Sequence, residues 1–183
     1  MKKWLKIVIV VIVVIVILIV SVLAIFSLDL ASYGATSSET LNPTGTSVGR
    51  ALVVYDPGLS GAAKQDATKI ADDLQAKGYT VVLAGVRSGS ANNKSNYNII
   101  VGGGPVYFGK ITSAIDGFLK TLPNNARLGV FASTGSSSFV QSDFNSLQKQ
   151  VASDTNNANV SIKLILNGNE TSNCEDLVSA LTQ

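Results

Sequence analysis

The chain has no histidine and a single cysteine, Cys174, among its 183 residues. Without histidine there is no Ser-His-Asp or Cys-His catalysis, and zinc loses its commonest ligand. One cysteine closes no internal disulfide, and a lone thiol reads as a small hydrophobe or an inert surface group before it reads as a nucleophile. Charge is sparse at 14% of residues, and the net +2 comes from Lys2, Lys3 and Lys6 at the amino terminus. Beyond Lys6 eleven basic residues face 12 acidic ones. The rest of the chain therefore has no basic excess of the kind nucleic-acid binding needs. Nothing in it forms a metal-ligating motif either.

What the chain does have is one long apolar run. Ile7 to Phe26 holds Ile, Val, Leu, Ala and Phe, with Ser21 the only polar residue. As a helix these twenty residues span about 30 Å, the thickness of a bilayer's hydrocarbon core. The apolar stretch of a cleaved signal peptide is shorter, about 7–15 residues, so the run reads as an uncleaved anchor. Three lysines precede it, no Lys or Arg follows until Arg50, and Trp4 stands where an interfacial aromatic would. The positive-inside rule then predicts a single-pass protein of the cell membrane, amino terminus cytoplasmic and remainder extracytoplasmic.

Residues 1–28 are thus the expected anchor. Residues 29–49, rich in Ser, Thr and Gly, read as a linker, and residues 50–183 as one domain. Within it Ala51–Tyr55, Thr80–Ala84, Ile99–Val101, Leu128–Ala132 and Val160–Leu166 are short apolar runs typical of buried strands. Between them apolar residues recur at helical spacing: Ala63, Ala67, Ile70 and Leu74; Ile111, Ile115, Phe118 and Leu122; Val140, Phe144, Leu147 and Val151. Glu175–Leu181 closes the chain as a last short helix. Alternation of this kind predicts an α/β fold: a doubly wound, five-stranded parallel sheet in the order 2-1-3-4-5.

Ligands of such sheets sit beyond the carboxyl ends of the strands. Three segments there draw attention: Asp56–Ala63, Gly102–Gly109 and Ser133–Ser138. The first has glycines entering a helix, a setting that turns backbone N–H groups toward an anion. It matches neither the phosphate-loop nor the dinucleotide glycine spacing. Gly58-Leu59-Ser60-Gly61-Ala62 departs from a nucleophile elbow at its last position, and no histidine exists to activate Ser60 or to work with Asp56. Asp72, Asp73 and Asp116 read as solvated helix faces. The second segment joins three glycines, a proline and two aromatics, a platform for a flat ligand or an aromatic lid over the core.

These segments, VVYDPGLSGAAKQDATKIADDL, NYNIIVGGGPVYFGKITSAIDGFL and LGVFASTG, resemble flavodoxin-like domains, including the flavodoxin-type protoporphyrinogen oxidase branch. Gly103 to Gly109 carries the resemblance most closely. It implies a flavoprotein that binds FMN and takes part in electron transfer with a redox protein partner; if it is an enzyme at all, it is an FMN-dependent oxidoreductase. It also implies site residues. Asp56, Gly58, Ser60, Gly61 and Ala63 map onto the phosphate loop. Pro105, Val106, Tyr107 and Gly109 line one side of the isoalloxazine ring. Ser133, Thr134 and Gly135 meet its other edge, with Phe139 as a cover. Two departures stand out: Asp56 replaces a usual Ser or Thr, and Ser60 is the one hydroxyl kept in the loop. They leave a second reading open, a flavodoxin-fold surface module without FMN that binds a partner or an envelope component.

Overall fold

Lys3–Ser27 forms one 25-residue helix, α1. It is apolar on every side, and an 18-residue window within Lys3–Leu23 has a mean hydropathy of 3.5. A helix that is apolar all round requires an apolar surround. Ser21, the one polar residue of the run Ile7–Phe26, donates its hydroxyl proton to the Ile17 carbonyl at 2.7 Å, as hydrocarbon demands. The length and composition suit a membrane span and are shared with signal sequences. The computed structural model describes residues 3–27, 33–107, 109–123, 126–155, 160–166 and 171–183. It divides into two units, Met1–Leu30 and Ala31–Gln183.

The second unit is built on a seven-stranded sheet of β1 (Ser38–Leu41), β2 (Gly49–Tyr55), β3 (Tyr79–Gly85), β4 (Ile99–Tyr107), β5 (Lys110–Ile111), β6 (Arg127–Ser133) and β7 (Val160–Ile165). Its order is β1-β3-β2-β4-β6-β7, with β5 paired to β4. The five parallel strands β3-β2-β4-β6-β7 reproduce the expected 2-1-3-4-5 arrangement. Six helices complete the chain: α1, α2 (Ala62–Ala76), α3 (Gly89–Asn92), α4 (Ser113–Leu119), α5 (Gln141–Asp154) and α6 (Thr171–Thr182), among the described residues. Alternate strand residues feed two cores. Ala51, Val53 and Tyr55 pack with Ala67, Ile70 and Leu74 of α2 and Leu177 and Leu181 of α6. Leu52 and Val54 pack on the opposite face with Ile115 and Phe118 of α4 and Leu147 of α5.

Two expectations need correction. Ser38–Leu41, read as linker, is an antiparallel edge strand on β3, pairing Ser38 with Ala84 through Leu41 with Val81. Ahead of it the Ala35 carbonyl accepts from the Arg87 N–H at 2.9 Å. The domain thus begins before residue 50. A chain cut to start at Gly49 leaves β3 as a bare edge, and its urea stability is expected to fall by about 2 kcal/mol, the net value of a few lost ladder bonds. An unchanged midpoint relative to residues 31–183 would show that β1 contributes nothing. The second correction concerns Gly102–Tyr107, read as a loop. These residues continue β4 and pair with β6 as far as Pro105 opposite Ser133.

The α4–α5 contact holds a carboxyl pair. The Asp154 side chain is only 3% exposed. Burial, then a hydrogen bond with Asp116, pushes its carboxyl above the ordinary value. Burial works in the same direction on Asp116 but is outweighed by hydrogen bonds from Asp154, Lys120 and Gln150, so its carboxyl lies below the ordinary range. A proton shared by the pair resides more readily on Asp154 than on Asp116. Its stabilising contribution is full in acid and is lost as pH rises through its raised folded value; that of Asp116 is lost as pH falls. Asp154→Asn, which keeps a donor and cannot ionise, is expected to raise the Tm at pH 7.5 by roughly 2–4 °C, the effect of about 1 kcal/mol. The gain should vanish near pH 4. A gain that does not change with pH would refute the shared proton.

Candidate functional site

Three strand ends meet at the carboxyl edge of the sheet, where β2, β4 and β6 lie side by side. Asp56 follows β2 and continues its ladder, its N–H donating to the Gly103 carbonyl at 3.0 Å. The Asp56 side chain is buried and its Oδ1 accepts from the Gly58 N–H at 3.1 Å. This Asx turn is what a short carboxylate two residues before an N–H produces. Gly58 sits at φ 61°, a left-handed conformation that favours glycine. Next along, the Leu59 N–H donates to the Tyr107 hydroxyl at 3.2 Å, and the Ala62 N–H to the Ser60 hydroxyl at 3.3 Å. α2 then starts at Gly61 with no side chain capping it.

The glycines of β4 are there because neighbours occupy the space a side chain would need. A Cβ on Gly103 would lie 2.2 Å from the Phe131 ring, and one on Gly102 3.0 Å from the Phe118 ring. Past them Pro105, Val106 and Tyr107 turn back into the two-residue strand β5, Val106 opposite Ile111. Gly109, at φ 75°, closes that hairpin. From β6 the Ser133 hydroxyl donates to Asp66 on α2. Asp66 is half-buried, and that burial raises its carboxyl value against the opposing effect of the Ser133 hydrogen bond. Thr134 is held by its N–H to the Ile165 carbonyl at 2.9 Å, and its hydroxyl accepts from the Ser136 N–H at 3.2 Å.

Between these segments lies a cleft of about 410 Å³, within the usual size of small-molecule sites. Ser60, Pro105, Val106, Tyr107, Ser133, Thr134 and Gly135, all expected site residues, line it. So do Ala63, also expected, and Leu59, Ala62 and Gln65, which were not. Asp56, Gly58, Gly61 and Gly109 are not on its surface; the first three shape the loop beneath and Gly109 shapes the hairpin behind. Phe139 is exposed and packs on Phe144, ring centres 5.7 Å apart, rather than covering the cleft. Phe108 lies outside the described residues. No lining residue carries a charge. Cys174 is far from reactive: burial, aided by Asp66 and Asp73, pushes its thiol up to about 12.

No known family pattern and no curated protein sequence matches the chain. Solved structures do. A flavodoxin of Streptococcus pneumoniae TIGR4 superposes with a TM-score of 0.54 at 18% identity, over 72% of this chain and 96% of its own. The two-electron reduced flavodoxin of Megasphaera elsdenii gives 0.55 at 20%, over 72% and 97%. The domain has the flavodoxin fold. An NADH:FMN oxidoreductase in its apo form also matches this flavodoxin-like domain, with a TM-score of 0.56 at 12% identity over 73% and 87%.

Proposed function

We propose that the chain is a membrane-tethered flavin protein, with α1 as its anchor and the Ala31–Gln183 domain as a module that binds FMN and takes part in electron transfer. The observation that carries this reading is the uncharged cleft at the carboxyl ends of β2, β4 and β6 in a flavodoxin fold. Pro105, Val106 and Tyr107 would flank one side of the isoalloxazine ring. The Ser133 and Thr134 hydroxyls and the Gln65 amide would meet polar atoms at its edge. Bound flavin supplies the electron-transfer chemistry, and the protein supplies position and polarity. No side chain needs to act as acid or base, in keeping with a chain that has no histidine. Lys2, Lys3 and Lys6, ahead of the apolar run from Ile7, favour a cytoplasmic amino terminus and an outward-facing domain. Asn93-Lys94-Ser95 is a glycosylation-type Asn-X-Ser sequence that begins at an exposed residue; the like sequences at 159–161 and 169–171 begin outside the described residues. A redox protein would be the electron partner.

The test is titration of FMN into the full chain in detergent, read by flavin fluorescence quenching and visible absorbance. Saturable quenching, weakened several-fold by Tyr107→Ala, is the expected result. No quenching by any flavin at about 30 μM, a threshold of roughly −6 kcal/mol, with the domain folded, would overturn it. The second reading, a surface module without cofactor, is favoured by one observation: the N–H groups of Gly58, Leu59 and Ala62 are already bonded within the chain.

A further inference from the structure

Resting on the flavin reading, we infer that the cleft prefers a flavin ending in a neutral polyol chain, riboflavin, over the same flavin carrying a terminal phosphate. A phosphate monoester needs several N–H and hydroxyl donors at one point, and the natural place is the loop entering α2. There three of the N–H donors are already bonded within the chain. Asp56 Oδ1 holds the Gly58 N–H, the Tyr107 hydroxyl holds the Leu59 N–H, and the Ser60 hydroxyl holds the Ala62 N–H. A phosphate oxygen accepting from any of these three N–H groups would have to displace the acceptor already there. Ser60 is the only hydroxyl residue between Asp56 and Ala63, and its oxygen accepts from the Ala62 N–H.

Charge points the same way. A phosphate monoester carries about −1.5 to −2 at pH 7. Beneath the loop lies the buried carboxyl side chain of Asp56, and none of the cleft-lining residues is Lys or Arg. Where that carboxyl is ionised it repels a phosphate, more strongly where water is excluded. A ribityl chain meets no such cost. Its hydroxyls are neutral donors and acceptors, and the cleft offers neutral partners in Ser60, Gln65, Ser133 and Thr134. The ring contacts are common to both ligands, so the difference rests on the chain end alone.

The full chain in detergent is titrated with riboflavin and with FMN at pH 7.5, each followed by fluorescence quenching. Riboflavin is expected to bind at least about tenfold more tightly, a difference of about 1.4 kcal/mol. Asp56→Asn, which keeps the Oδ1 acceptor and removes the charge, should narrow that ratio. Lowering the pH to 5.5, below the second phosphate ionisation near 6, should narrow it too. FMN binding as tightly as riboflavin overturns the inference while leaving the flavin reading in place. Quenching of neither overturns both.

Discussion

Phe131→Ala is expected to lower the stability of the Ala31–Gln183 unit by about 3–5 kcal/mol, the cost of truncating a buried phenylalanine. Domains of this size have only about 5–15 kcal/mol in total. Phe131 is fully buried in β6, and its register partner across the ladder is Gly103 of β4. The ring lies over that glycine, so close that a Cβ there would stand 2.2 Å from it. The two residues form one packing unit. Gly103→Ala alone should cost about 1–3 kcal/mol through overpacking. In the double variant the new methyl enters the space the ring has vacated, so the combined loss should fall short of the sum by at least about 1 kcal/mol. Urea unfolding of the four proteins measures this. Additivity within about 0.5 kcal/mol would mean that the ring does not shape the Gly103 site.

That pair also explains what the sequence hid. Five strands and four major helices of the domain were legible because each carries its own apolar period and is punctuated locally. The parallel order followed from alternation of strands and helices. Gly102, Gly103 and Gly104 read as loop because glycine disfavours strands in isolation. Their reason for being strand residues lies far along the chain, in Phe118, Phe131 and Ile115, which fill the space above them. β1 was hidden for a similar reason: Ser-Glu-Thr-Leu has no strand pattern of its own and is specified by the free edge of β3. The cleft lies at the strand ends to which the sequence points. Leu59 and Ala62 read only as spacers of the first loop and Gln65 belongs to no motif; the turn at Gly58 and Gly61 brings them to the cleft. Asp66 escaped notice because its link to Ser133 crosses from α2 to β6.

Gly58→Ala is expected to cost at least tenfold in flavin affinity, measured with FMN or riboflavin, whichever the parent binds more tightly. The residue sits at φ 61°, where a side chain adds about 1–2 kcal/mol of backbone strain. The new Cβ would also lie 2.6 Å from Pro105 Cγ and 3.1 Å from the Tyr107 hydroxyl. Relief of that clash must move either the loop or the Pro105–Tyr107 hairpin, and both line the cleft. The Leu59–Tyr107 hydrogen bond that joins them would break first. Gly61→Ala separates strain from steric clash. Gly61 has φ 74°, yet a Cβ there would meet nothing within 4 Å. Both variants carry the backbone penalty, but only Gly58→Ala pushes on the cleft wall. Its affinity should fall well below that of Gly61→Ala, while the two lose similar global stability. Equal affinities would show that the junction between the loop and the hairpin plays no part in holding the ligand.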